Sequence, residues 1–129
     1  AYGCFLGCCM SGNIKYDKWV NDDNSENYKC RAWVNFNGNG TVAIREGGGV
    51  SSITDGGTGI FTVNFTTAMV DANYSIAGCA QSTGGGFTVH IYAASNSLSP
   101  LTSSGFPIGV TTNSGSSVDS ETISVSVFR

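Results

Sequence analysis

With 129 residues the chain is long enough for one domain with a single core and short for two. Six basic and nine acidic side chains leave a formal charge of −3, and charged residues make up only 12%. No basic cluster could track a phosphate backbone, which argues against nucleic acid, and no apolar run reaches the roughly 18 residues of a membrane helix, which argues against membrane insertion.

Gly, Ser, Thr and Asn supply 58 of the residues. Glycine breaks helices, and short polar side chains compete with the helical ladder for backbone hydrogen bonds, so strands and turns are expected. Residues Ala1 to Ile14 follow neither period and are interrupted by Gly3, Gly7 and Gly12, an irregular lead-in. The start has no Met, basic head or signal-length apolar run; residue 1 is either a processed start or a point inside a longer chain. Asn21 to Asn27 is a polar acidic loop. Asp22, Asp23, Asn24 and Glu26 are oxygen donors of the kind Ca²⁺ takes, but EF-hand spacing is absent and a solvated loop is preferred. Residues 1–28 therefore read as a lead-in or docking segment, and 29–129 as one domain.

Ala32 to Arg45 has the form of a hairpin. Ala32, Val34 and Phe36 alternate with Trp33, Asn35 and Asn37; after Asn37-Gly38-Asn39-Gly40, Val42 and Ile44 alternate with Thr41, Ala43 and Arg45. Asn and Gly tolerate positive φ, so Asn-Gly between alternating runs signals a turn. Val34, Phe36, Val42 and Ile44 are assigned to the core. Gly47-Gly48-Gly49 reads as a turn, Val50 to Thr54 as a strand, Asp55 to Gly59 as a turn, and Ile60 to Phe65 as a strand with Phe61, Val63 and Phe65 inward. Tyr74 to Ala80 is a strand of small residues, suited to close approach of another sheet or subunit. Ser82 to Gly86 turns the chain into Phe87 to Tyr92. A Ser/Asn-rich connection from Ala93 to Gly105 leads to a short edge strand, Phe106 to Thr111, that tolerates Pro107. Thr112 to Ser120 has almost nothing to bury, and Glu121 to Arg129 closes the chain with Ile123, Val125 and Val127 inward. About seven or eight short strands with turn signals between them predict an all-β antiparallel β-sandwich.

Five cysteines, Cys4, Cys8, Cys9, Cys30 and Cys79, are an odd number and lack paired zinc spacing; they read as free thiols packed like small hydrophobes. No nucleophile elbow is present. His90 lies in a strand between Val89 and Ile91, and Asp55, Asp71, Asp119 and Glu121 lie in or beside turns, so no acid–base pair converges and no enzyme is expected.

Ala32 to Tyr74, which carries AWVNFNG, TVAIR, VSSITD, GTG, TVNFT and DANY in order, resembles the distal domain of tail fibre proteins of aquatic tailed bacteriophages. The resemblance covers 43 of the 129 residues. Gly47-Gly48-Gly49 replaces larger residues of that family, and Val70 stands where Pro precedes Asp-Ala-Asn-Tyr; both departures bear on loop shape. The resemblance implies a virion component, a homotrimeric fibre tip made in the host bacterial cytoplasm, with other phage tail proteins and a host surface receptor as partners. Cytoplasmic synthesis fits free thiols.

Attachment to a surface polysaccharide or outer-membrane protein is the leading expectation. The loops Ser82 to Gly86, Ala93 to Ser104 and Thr112 to Ser120 are its surface, with Ser82, Thr83, Tyr92, Asn96, Ser97, Thr112, Asn113 and Ser114 as contact candidates. Trp19, Trp33 and Tyr92 are aromatics able to stack on sugars or anchor a subunit, although packing is the more ordinary role of Trp33. The alternatives are a connector, collar or capsid-decorating protein and, behind it, a tailspike depolymerase. No cofactor is expected. Metal candidates are limited to Asp22, Asp23 and His90; on a threefold axis a single His supplies three imidazoles, but an ordinary exposed or interface histidine is preferred.

Overall fold

The structure, a computed structural model, describes residues 29–81, 87–90 and 100–129. Among them are eight strands: β1 (Cys30–Asn37), β2 (Ala43–Gly48), β3 (Val50–Gly57), β4 (Ile60–Phe65), β5 (Ser75–Ala80), β6 (Phe87–His90), β7 (Gly105–Thr112) and β8 (Ile123–Phe128). They form two four-stranded sheets, β2-β1-β8-β5 and β3-β4-β7-β6, with every pairing antiparallel. The fold is the β-sandwich expected from the alternation.

The period-two pattern sets its core. Ala32, Val34 and Phe36 of β1 and Ile123, Val125 and Val127 of β8 face Phe61, Val63 and Phe65 of β4 and Phe106, Ile108 and Val110 of β7. Full burial of each large side chain contributes about 1.5–3 kcal/mol. Phe36 meets Phe61 edge-on with centroids 5.4 Å apart, which joins the two sheets through one aromatic pair. At the other end Tyr74 packs edge-on to Phe65, and its hydroxyl donates toward the carbonyls of Thr102 at 2.9 Å and Gly105 at 3.1 Å.

Several expectations need correction. Gly47-Gly48-Gly49 is not a hairpin turn: Gly47 and Gly48 are strand residues paired with Val34 and Trp33, and the chain changes sheets at Gly49. Gly49 has φ +73°, and a Cβ there would stand 2.7 Å from the Arg31 carbonyl oxygen, so the corner fits only glycine. Ile44 is opposite Phe36 but 40% exposed, because β2 is a sheet edge with only β1 beside it. Val42 does pack partly against the core. The left-handed turn residue is Gly40, while Gly38 is buried and donates its amide to Ser120 O at 2.9 Å.

The segment expected as a short edge strand is instead the eight-residue β7, between β4 and β6 and buried from Gly105 to Thr111. Pro107 is tolerated there because of register. Phe65 N–H bonds Ser104 O, so Thr62 and Pro107 fall at a pair without ladder hydrogen bonds, and the proline nitrogen faces away from β4. On that other side the described β6 pairs run from Thr112 only to Gly109. Cys30 and Cys79 are exposed, not packed inward; β5 turns Ile76 and Ala80 toward the core and leaves Cys79 outside.

Strand directions sort the connections. Lys29 and Arg129 flank the paired ends of β1 and β8, together with the Gly49 corner and residues 66–74. The β1–β2 and β3–β4 turns, Gln81, the start of β6 and residues 113–122 lie at the opposite, loop end.

Candidate functional site

The loop end is stitched by backbone and short side chains. Asn37 Nδ2 donates to Asn39 O at 2.7 Å and Thr41 O at 3.0 Å, which holds the hairpin turn. Residues after β7 fold back on it: Val118 N donates to Val110 O at 3.0 Å, and Thr112 N to Ser116 O at 2.9 Å. Val118 N takes the Val110 carbonyl that the Gly59 amide would bond in a continued ladder, and the Gly59 amide donates instead to Asp119 Oδ1 at 2.7 Å. Ser120 is buried, its hydroxyl donating to Gln81 O at 2.8 Å, which ties the exit of β5 to the entry of β8. The connection expected to bury almost nothing is therefore anchored by Val118 and Ser120.

Of the predicted contact residues, Thr112, Asn113 and Ser114 lie at this end. The hydroxyls of Thr112 and Ser114 bond each other at 2.8 Å, Ser116 N donates to Thr112 Oγ1 at 3.2 Å, and Asn113 and Ser114 are exposed. Ser82, Thr83, Tyr92, Asn96 and Ser97 lie outside the described residues, as do Trp19, Asp22 and Asp23. Of the described residues that flank these segments, Gln81 and the start of β6 lie at the loop end, and His90 lies toward the opposite end of the second sheet. His90 is exposed opposite Gly109.

The carboxylates accept local backbone bonds. Asp55 Oδ1 takes the Gly57 amide at 2.8 Å, Asp119 the Gly59 amide, and Asp71 the Asn73 amide at 2.7 Å. The Asn73 amide, with help from Arg129, holds the Asp71 carboxyl below its ordinary 3.8 despite a partial offset from desolvation. Among the described residues, no three His, Cys, Asp or Glu side chains group as metal ligands do.

The sequence names Trp33 as an aromatic able to stack on sugars or anchor a subunit, with packing its more ordinary role; its seat, and a groove, are what the structure adds. On the outer face of the first sheet, Trp33 stands between its cross-strand partners Gly48 and Ser126. A Cβ on Gly48 would lie 3.0 Å from the indole Nε1 and 3.4 Å from Cδ1, so the ring covers the bare glycine while Trp33 stays 43% exposed. Phe128, 41% exposed, is its diagonal neighbour on β8, and Asn35 on the same face donates to Ser124 Oγ at 2.7 Å. The second feature is a groove of about 460 Å³ at the chain-entry end, lined among the described residues by Arg31, Gly49, Thr66 to Val70 and Arg129. Arg31 is the extra residue of a β-bulge between Cys30 and Ala32. The alternation of Arg31, Trp33 and Asn35 carries the first signal; nothing local in the sequence announces the bulge.

In comparisons with known proteins, no family model, curated protein or solved structure matches the chain.

Proposed function

We propose that this domain is the distal attachment module of a bacteriophage tail fibre, binding a host surface polysaccharide or outer-membrane protein without catalysis. The observation that carries this reading is the polarity of the sandwich. Lys29, the start of β1 and the end of β8 share one end with the Gly49 corner and residues 66–74, while the β1–β2 and β3–β4 turns and residues 113–122 are cross-bonded at the other. A rigid scaffold that presents exposed Asn113 and Ser114 on a tied loop is suited to recognition, since little ordering remains to be done on binding. The fibre-like segment Ala32 to Tyr74 supports the same reading, as does the use of Asp55, Asp71 and Asp119 on backbone amides. On the particle the module is a homotrimer, made in the bacterial cytoplasm and joined to other tail proteins; three copies raise weak contacts by avidity.

The test is adsorption of the labelled, purified chain to a panel of aquatic bacteria. Saturable binding to particular strains, reduced by Asn113→Ala together with Ser114→Ala in a protein of unchanged stability, is the expected result. Binding only to virions stripped of fibres would favour the connector or capsid-decorating alternative, and release of reducing sugar from the cells would favour a depolymerase.

A further inference from the structure

The groove at the entry end and the outer sheet face form one surface, linked by the last two residues. Arg129 lines the groove, and with Phe128, Ser75 and Asn73 it also lines a second hollow of about 330 Å³ beside the sheet face. From Phe128 the surface continues diagonally to Trp33. We propose that this surface binds an acidic saccharide, its oxyanion held by Arg31 and Arg129 and its rings lying against Phe128 and Trp33. The inference goes beyond the attachment reading: it names a ligand class at a site on the flank and entry end, separate from the loop end.

Charge and order both favour an oxyanion. Arg129 is fixed before any ligand arrives: Nη1 donates to Asn73 O and Nη2 to Asp71 Oδ2, each at 2.8 Å. The Asp71 carboxylate offsets that charge, yet a guanidinium has five N–H donors, so others remain for a ligand. Arg31 makes no ion pair with another described residue. Its place in the bulge matters, because a bulge bends the strand and re-aims its side chain. Thr66 and Thr67 add exposed hydroxyls to the wall, and Val70, 88% exposed, offers an apolar rim. The indole of Trp33, packed against Gly48 and still exposed, has Asn35 and Ser126 as polar neighbours on the same side of the sheet. A pyranose has this combination, an apolar ring face edged by hydroxyls, and carboxylate or phosphate substituents supply the anion.

The test is calorimetric titration of the full chain with an oligogalacturonate, a neutral galacto-oligosaccharide of equal length and a phosphorylated oligosaccharide. At least one acidic ligand is expected to bind saturably and more weakly in high salt, and which of the two binds tells carboxylate from phosphate. Arg31→Gln is expected to weaken it roughly tenfold, the loss of a charge-assisted hydrogen bond, with Arg31→Lys intermediate. Trp33→Ala is expected to weaken it as well. Equal affinity for the neutral ligand, no binding of either acidic one, or undiminished binding by Arg31→Gln would overturn the proposal; so would a trimer that Trp33→Ala dissociates, since Trp33 would then face another copy. Cell adsorption separates the two readings: undiminished adsorption of Arg31→Gln leaves attachment standing and removes this site, whereas arginine-dependent acidic binding without cell adsorption does the reverse.

Discussion

The amide of Gly59 donates to the carboxylate of Asp119 across 2.7 Å, so the turn closing β3 and β4 is held by a residue sixty positions later. This bond ends one ladder and starts another, because Val118 takes over the Val110 carbonyl at that point. Asp119→Ala leaves the Gly59 amide without its charged acceptor and is expected to destabilise the fold by about 1.5–3 kcal/mol. Hydrogen exchange is expected to speed up at Gly59 and Val118 before it does in β1 and β8; uniform acceleration would contradict this local role.

Glycine substitutions separate backbone strain from collision. Gly40 has φ +68° with nothing near a would-be Cβ, so Gly40→Ala is expected to cost only the left-handed penalty of about 1–2 kcal/mol. Gly59 has the same φ, but its Cβ would lie 2.5 Å from Val110 O and 2.7 Å from Val118 N, both backbone atoms. Overpacking adds roughly 1–3 kcal/mol, so Gly59→Ala is expected to be clearly the less stable variant in urea unfolding.

Tyr74 ties the ends of two strands that lie in opposite sheets. Burial pushes its phenol above the ordinary 10.0, with the Thr102 backbone a smaller contribution in the other direction. A raised folded value means the neutral phenol is favoured in the fold. Its contribution is therefore complete below pH 10.0 and falls as pH rises through the folded value. Tyr74→Phe loses the bonds to Thr102 and Gly105 and is expected to cost about 1–2 kcal/mol at neutral pH, with a flatter alkaline limb.

Asp71 gives the opposite sign. Its lowered carboxyl stabilises the fold above the ordinary 3.8, and that contribution is lost as pH falls through the folded value. Because the Asn73 amide is the largest cause, Arg129→Gln is expected to raise the Asp71 value and still leave it below 3.8, as read by carboxyl NMR titration.

The strands most legible in the sequence were those with one face in the core. β1, β4 and β8 alternate strictly, and their inward sets, from Ala32 to Phe36, Phe61 to Phe65 and Ile123 to Val127, are buried as read. β7 was misplaced because Pro107 suggests an edge, whereas register turns the proline nitrogen away from β4. Ile44 has a core residue's chemistry but lies on an edge strand, and strand order is a long-range property that its neighbours in sequence do not encode. Trp33 was legible as an outward aromatic, but its seat and the groove were hidden for the same reason: Gly48 makes room for the indole from the next strand, and Arg31 and Arg129 come to line one groove only once β1 pairs with β8.

The most direct test of the attachment account is the position of this domain in an intact particle, read by electron cryomicroscopy of virions that carry the chain. The account predicts three copies at the free end of a fibre, with residues 112–120 directed outward and the Lys29 end toward the shaft. A domain enclosed at a joint of the tail, or seated on the capsid, would contradict it.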